Sequence, residues 1–342
     1  GHLEGDVHLG HFDAARGADG RGSAVAYHQQ ADAWDGDGQK GDGGEFTHWL
    51  RDQHSAWHAL TRYEDRCVAA RLGPDGAIYF VSLLRAPRGR LLRLAPEAVD
   101  RGVAAAVVIV PESADAIEAS FAHGTGLWTG NDRVYVLYQK GGPNVVRAFH
   151  LDGRAEGELP QPPLSAVGDL VVLPGGSVLF QVQSFTVPPA WYRRPHVGGP
   201  ALRTALAETS PADYSDCEVV REEAVSNDGT RVPITVLRLR GIVLNGTHPT
   251  IVYGYGGYGV CQTPGFRGRL RAWIERGGVF AVAHIRGGGE FGETWHREGS
   301  LGSKQNVFDD FAACAQRLIA AGYATREKLA LMGGSNGGLL MG

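Results

Sequence analysis

The chain has 342 residues, of which 43% are hydrophobic, so it can form two ordinary domains with sizeable cores. Basic and acidic residues are nearly balanced, 33 against 37, which disfavours nucleic acid as a partner. Four widely separated cysteines without a Cys-x-x-Cys pair disfavour a disulfide scaffold and a zinc ribbon. No apolar run reaches the ~18 residues that a membrane span requires, so no membrane partner is expected.

The first 210 residues are rich in short strand patterns. A turn sequence followed by a β-branched or aromatic run occurs four times, beginning at Asp19-Gly20, Asp75-Gly76, Asn131-Asp132 and Gly175-Gly176. The interval is roughly 50 residues, which is typical of β-propeller blades, and no long helical periodicity intervenes. We therefore predict a partial β-propeller domain over residues 1–210, with a β-sandwich as the alternative. An exposed loop is predicted at 32–44, where Gly and Asp are frequent.

From residue 211 onward, strand and helix patterns alternate. Apolar runs predict strands at 250–253, 279–283 and 329–332, the last two of them buried. An apolar stripe over 308–319 predicts a helix before the third strand, with Asn306 as its N-cap. Strands that alternate with helices in this way predict a parallel sheet with crossover connections.

The strongest chemical signal is the segment 333–338, which reads Gly-Gly-Ser-Asn-Gly-Gly. It contains G-x-S-x-G directly after a predicted strand, which is the context of a nucleophile elbow. The chain turns sharply there from strand to helix, so the serine hydroxyl stands above the sheet and its neighbours must be small. We predict Ser335 as the nucleophile and the backbone N–H of Asn336 as an oxyanion donor. The alternative is a serine in an ordinary Gly-rich turn.

Two other glycine-rich segments follow the earlier strands. Gly254, Gly256 and Gly259 match G-x-G-x-x-G, but a loop sequence follows instead of the helix that a dinucleotide site requires. We interpret the segment as the loop that supplies the second oxyanion donor in hydrolases, with Tyr255 as its polar side chain. The segment 286–290 can either line the active crevice or form a structural turn. Neither segment predicts a cofactor, and loosely spaced histidines do not predict a metal site.

Four segments, in this order, closely resemble the prolyl oligopeptidase family: 253–258, 284–296, 304–311 and 333–340. The resemblance is strong over 210–342 and weak over the β-rich part. It implies a β-propeller followed by an α/β-hydrolase domain, of which residues 211–342 would be the N-terminal part. It also implies a serine peptidase that cleaves short peptides after proline through an acyl-enzyme.

The resemblance also implies roles for individual residues. Ser335 would be the nucleophile, and the Asn336 N–H and the Tyr255 hydroxyl would stabilise the oxyanion. Tyr258 lies where the family usually has a phenylalanine in the proline pocket, so an added hydroxyl would alter that pocket. Asn336 favours proline specificity over relatives that cleave after basic residues, which usually carry alanine there. No cofactor is implied, and the enzyme is expected to be monomeric and cytoplasmic, with the periplasm as the alternative.

Only seven residues follow Ser335, and none of them is acidic or a histidine. Because the acid and the histidine follow the serine in α/β-hydrolases, we expect both beyond Gly342. The chain is thus expected to be a fragment, truncated at both ends and inactive alone. The alternatives are an esterase or an acylaminoacyl peptidase on the same scaffold, and a propeller binding module with a vestigial hydrolase half.

Overall fold

The computed structural model describes residues 10–16, 22–28, 47–51, 54, 56–119, 126–195 and 199–342. In the first two ranges, the strands alone are described. The predicted loop at 32–44 and the predicted turn Asp19-Gly20 lie outside the described residues.

Four antiparallel sheets follow one another along the first part of the chain, each built from consecutive strands. Their strands are β1 (Gly10–Arg16), β2 (Gly22–His28), β3 (Thr47–Arg51), β4 (Trp57–Ala59), β5 (Cys67–Leu72), β6 (Ile78–Ser82), β7 (Arg90–Leu94), β8 (Val107–Val110), β9 (Ala116–Ile117), β10 (Leu127–Gly130), β11 (Arg133–Gln139), β12 (Asn144–His150), β13 (Ala155–Glu158), β14 (Ser165–Val172), β15 (Val178–Ser184), β16 (Ala190–Arg194) and β17 (Leu202–Ala207). β9 is an extra strand that pairs with β11 in the third sheet.

Three of the predicted turns lie at equivalent places in these sheets. Asp75-Gly76, Asn131-Asp132 and Gly175-Gly176 each join the first strand of a sheet to its second strand. In the second sheet, β6 is buried along its whole length, because it pairs with β5 and β7 and its apolar side chains enter the core. Repeated four-stranded antiparallel sheets of this kind are typical of propeller blades.

A mixed five-stranded sheet occupies the last part of the chain, in the order β18-β19-β21-β20-β22. Its elements are β18 (Cys217–Val225), β19 (Arg231–Leu239), β20 (Thr250–Tyr253), α1 (Arg271–Ile274), β21 (Val279–Ala283), α2 (Glu293–Arg297), α3 (Gln305–Ala320), β22 (Leu329–Met332) and α4 (Asn336–Leu339). The three strands β20, β21 and β22 have the predicted bounds. Both β21 and β22 pair in parallel with β20, so the carboxyl ends of all three strands meet at one edge.

The helix α3 packs on this sheet through an apolar face. Val307, Phe311, Cys314 and Leu318 are buried in the same cluster as residues of β19, β20 and β21. The prediction of Asn306 as the N-cap is wrong, because the helix begins at Gln305 after Lys304. The Asn306 side chain instead donates a hydrogen bond to the carbonyl oxygen of Glu298, at 2.8 Å.

The strand β22 differs from its prediction in burial. Ala330, Leu331 and Met332 are exposed, although the apolar run predicts a buried strand. β22 is the last strand in the sheet order, and no described strand pairs with its outer edge. A hydrophobic run therefore predicted the strand, whereas its burial depends on neighbours that the run does not specify.

The chain divides into two compact units, one of residues 1–138, 146–158 and 172–176 and the other of residues 139–145, 159–171 and 177–342. The antiparallel sheets end with β17, and the mixed sheet begins with β18. The domain boundary between residues 210 and 211 stays a prediction. Within the described ranges, no helix is both long enough and apolar enough to cross a bilayer.

Candidate active site

Ser335 lies at the turn between β22 and α4, as the elbow pattern predicts. It is exposed, and its backbone has φ 52° and ψ −121°. A positive φ is uncommon for a residue with a side chain, and such strain clusters at functional sites. The helix α4 begins at the next residue, so the backbone N–H of Asn336 lies at its first turn. The local geometry is therefore that of a strand-to-helix elbow with an exposed serine.

Two glycines of the elbow, Gly333 and Gly337, are required by close backbone packing. A Cβ atom at Gly333 would overlap the carbonyl oxygen of Gly337. A Cβ atom at Gly337 would lie 2.5 Å from the carbonyl oxygen of Gly254, in the loop after β20. The backbone of the elbow thus contacts both its own next turn and the loop after β20. Only glycine fits at these two positions.

The loop after β20 contacts the elbow through Asn336. The side-chain Nδ2 of Asn336 donates a hydrogen bond to the carbonyl oxygen of Tyr255, at 2.7 Å. A Cβ atom at Gly257 would overlap the same Asn336 amide. No helix follows this loop directly; the next helical turn begins at Gly268. The structure thus joins the backbone of Tyr255 to Asn336, while the role of the Tyr255 hydroxyl stays a prediction.

Tyr258 lies further along the same loop, in a turn. It has φ 55°, and 51% of its surface is exposed. The N–H of Val260 donates to the carbonyl oxygen of Gly257, at 3.0 Å, and closes the turn. An aromatic residue with a positive φ is an outlier that the surrounding hydrogen bonds must hold in place. The part that Tyr258 plays in a proline pocket stays a prediction.

The loop after β21 is anchored by a buried ion pair. The backbone N–H and Nε of Arg286 donate to Oδ2 of Asp310, at 3.0 and 2.9 Å. Its Nη2 donates to Oδ1 of the same carboxylate, at 2.6 Å, and its Nη1 donates to Asp228, at 2.5 Å. The hydrogen bonds with Asp310 raise the pKa of Arg286 above its usual range. The segment 286–290 was predicted either to line the active crevice or to form a structural turn. The contacts of Arg286 support the structural turn.

Lys304, which immediately precedes α3, reaches both of the other loops. Its Nζ donates to the carbonyl oxygen of Gly256, at 2.7 Å, and lies 3.5 Å from Oδ1 of Asn336. Burial lowers the pKa of Lys304. Lys304 lies in the segment 304–311 that carries the family resemblance, but its contacts could not be predicted, because they lie 48 and 32 positions away along the chain.

His284, at the end of β21, is fully buried and is engaged by other groups. Its Nε2 lies 2.8 Å from Oγ1 of Thr235 and 3.1 Å from Nη1 of Arg221. Its Nδ1 lies 3.9 Å from Oε1 of Glu290. Burial lowers the pKa of His284 and so favours the neutral imidazole. The Nε2 atom of His284 is therefore engaged by Thr235 and Arg221.

Across the described parts of the chain, no group of three or more His, Cys, Asp or Glu side chains is arranged to hold a metal ion. The four cysteines, all of them in described ranges, are buried and form no disulfide.

Residues 264–342 match the model of the prolyl oligopeptidase family. A prolyl endopeptidase from Elizabethkingia miricola is 30% identical over 221 residues, which cover 63% of this chain and 30% of that protein. A prolyl endopeptidase from Elizabethkingia meningoseptica is 45% identical over 117 residues, which cover 34% of this chain and 17% of that protein. The chain thus spans less than a third of the length of these curated relatives.

The fold is also that of solved prolyl endopeptidases. One such structure matches with a TM-score of 0.80 and 29% identity, over 96% of this chain and 46% of that protein. The prolyl oligopeptidase B of Galerina marginata matches with a TM-score of 0.79 at 23% identity, a likeness of fold alone. The architecture is therefore a partial β-propeller followed by part of an α/β-hydrolase domain. Residues 264–342, which include the elbow, the loop after β21 and α3, are thus similar to the prolyl oligopeptidase family.

Proposed function

We propose that the protein is a serine peptidase that hydrolyses short peptides on the carboxyl side of proline. The observation that carries the proposal is the strained, exposed Ser335 between a parallel strand and a helix. The hydrogen bond from Asn336 to Tyr255 supports it, because it joins the two loops that carry the predicted oxyanion donors. The names of the relatives support proline as the residue before the cleaved bond.

The proposed reaction begins with attack of the Ser335 hydroxyl oxygen on the carbonyl carbon of the proline residue, and the bond from that carbon to the next nitrogen later breaks. A histidine, oriented by a carboxylate, takes the serine proton and later gives it to the leaving amine. We place both of these groups in the whole protein, after the elbow in chain order. Water then hydrolyses the acyl-enzyme and frees the serine.

Negative charge develops on the carbonyl oxygen during both steps. The backbone N–H of Asn336 and the hydroxyl of Tyr255 are the proposed donors to this oxyanion. Each donor of this kind contributes about 3–4 kcal/mol of transition-state stabilisation. Tyr258 is the proposed wall of the proline pocket. The proposal further includes a monomeric enzyme that acts in the cytoplasm on free peptides, as the family resemblance implies.

The test is a substrate panel assayed with the full-length protein. It comprises chromogenic peptides that end in proline or lysine, an N-acetylated amino acid amide and a simple ester. We expect the proline peptide to have the highest kcat/KM, and Ser335→Ala to lower its kcat by about a million-fold. A higher kcat/KM for the acetylated amide or the ester would favour the two alternative hydrolases, and undiminished cleavage by Ser335→Ala would contradict the proposal.

A further inference from the structure

We propose that Lys304 is a positioning residue that ties together the two loops carrying the predicted oxyanion donors. The inference rests on the proposed function, since it concerns the geometry of the same site. Lys304 itself is not proposed to contact the substrate.

The first step of the argument is the set of contacts around the Lys304 ammonium group. Its Nζ donates to the carbonyl oxygen of Gly256, the residue after Tyr255, at 2.7 Å. It also lies 3.5 Å from Oδ1 of Asn336, the residue after Ser335. One cation therefore bridges the residue next to the predicted hydroxyl donor and the residue that supplies the predicted N–H donor.

The second step is that Asn336 completes the bridge. Its Oδ1 faces Lys304, and its Nδ2 donates to the carbonyl oxygen of Tyr255, at 2.7 Å. An aspartate would place an acceptor against the Tyr255 carbonyl oxygen, and an alanine would leave both partners without this contact. An asparagine suits position 336 because its side chain offers an acceptor to Lys304 and a donor to the Tyr255 carbonyl oxygen. This role is separate from that of its backbone N–H.

The third step is that Lys304 is held by a rigid element. It immediately precedes α3, whose residues Val307 and Phe311 are buried in the core. A Cβ atom at Gly254 would lie 2.7 Å from Cε2 of Phe311, and one at Gly256 would overlap Val307. The helix that positions Lys304 thus also packs directly on the loop that contains Tyr255.

The fourth step concerns the charge. Lys304 is half-buried, so its ammonium group loses part of its hydration and its pKa is lowered. A partly desolvated cation needs acceptors, and it draws carbonyl and amide oxygens into fixed positions around it. A misplacement of about 1 Å in a catalytic group can lower a rate by about 100-fold. The contacts of Lys304 with Gly256 and Asn336 are therefore expected to affect the rate of the chemical step.

The experiment compares Lys304→Met, which keeps the aliphatic stem, with Lys304→Arg, which keeps the charge, in the full-length protein. The control is Lys328→Met, because Lys328 is exposed and donates to the carbonyl oxygen of Thr247, at 2.9 Å, before β22 begins. We expect Lys304→Met to lower kcat for the proline peptide by about 10- to 100-fold, with KM changed less than threefold. Lys304→Arg recovers part of the loss, and Lys328→Met matches the wild type.

A second readout does not depend on activity. Amide hydrogen exchange, followed by mass spectrometry, is measured over the segments 254–260 and 333–340. We expect faster exchange in both segments together in Lys304→Met, and the same pattern in Asn336→Ala, which removes the bridge from its other side. Should Lys304→Met fail to fold, hydrogen exchange in Asn336→Ala and Lys304→Arg still tests whether Lys304 and Asn336 hold the two loops together.

The outcomes separate the two proposals. A wild-type protein that cleaves none of the substrates contradicts the proposed function, and the exchange measurement alone then decides the role of Lys304. Exchange that is unchanged in Lys304→Met overturns the inference. So does a kcat within twofold of the wild type, or an equal loss in Lys328→Met.

Discussion

Arg286 shows how one buried side chain shapes the loop after β21. Its guanidinium group forms a bidentate contact with Asp310 and a further contact with Asp228. Both Arg286 and Asp310 are buried, so each charge depends on the other for compensation. The pair therefore fixes the start of the glycine segment that lies against the loop of Tyr255.

We predict that Asp310→Asn destabilises the protein by about 3–5 kcal/mol, because it leaves the Arg286 charge poorly compensated in the interior. The amide also presents N–H groups to a guanidinium group that has no acceptor. The matched control is Asp309→Asn, since the neighbouring carboxylate accepts a hydrogen bond from Gln305 in an exposed setting. Its expected effect is within about 0.5 kcal/mol. Urea denaturation followed by tryptophan fluorescence measures both, and equal effects would contradict the prediction.

Single residues of the site differ in how far the sequence predicts them. Ser335 could be predicted because its signal is local: a short pattern directly after an apolar strand. Lys304 and the pairing of Arg286 with Asp310 could not, because their partners are distant in sequence and are chosen by the fold. The resemblance marked the segment 304–311 as typical of the family, but a lysine before a helix is ordinarily a surface residue.

At the scale of elements, the candidate site is formed by three loops that contact one another. The loops after β20, β21 and β22 lie at one edge of the sheet because these strands run in parallel. Their glycines allow backbone to contact backbone: a Cβ atom at Gly287 would overlap the carbonyl oxygen of Gly256, and Gly287 has φ 88°. The three glycine-rich segments of the sequence are thus parts of one packed arrangement.

We predict that Gly287→Ala costs about 2–3 kcal/mol of stability, because the new methyl group meets backbone and the left-handed conformation becomes strained. Gly302→Ala is the control, since nothing lies within 4 Å of its added Cβ atom. Denaturation midpoints of the two variants and of the wild type measure the effect. A Gly287→Ala variant as stable as Gly302→Ala would show that the loops separate without cost.

The prediction of elements succeeded where one residue pattern decides the outcome. Apolar runs predicted the bounds of β20, β21 and β22, because short apolar runs bounded by turn sequences are typical of strands. The prediction of the N-cap failed, because a short 3-10 helix, Leu301–Ser303, leads into α3 one residue before Asn306. The prediction of buried β22 failed because burial is a property of the whole sheet.

At the scale of the whole molecule, the repeated turns predicted the four antiparallel sheets. In the second, third and fourth sheets, a turn between the first and second strands recurs because each sheet repeats the same meander. The two compact units could not be predicted, since their bounds depend on contacts between distant segments. The sequence therefore specifies the repeated sheets and the elbow more fully than it specifies how the chain divides.

The central claim is that Ser335 is a nucleophile. The most direct measurement treats the full-length protein with a proline-containing diaryl phosphonate and maps the adduct by peptide mass spectrometry. We predict a single adduct on Ser335, which is absent in Ser335→Ala and is slowed by an excess of a proline peptide. An adduct on another residue, or none on a folded protein, would contradict the account.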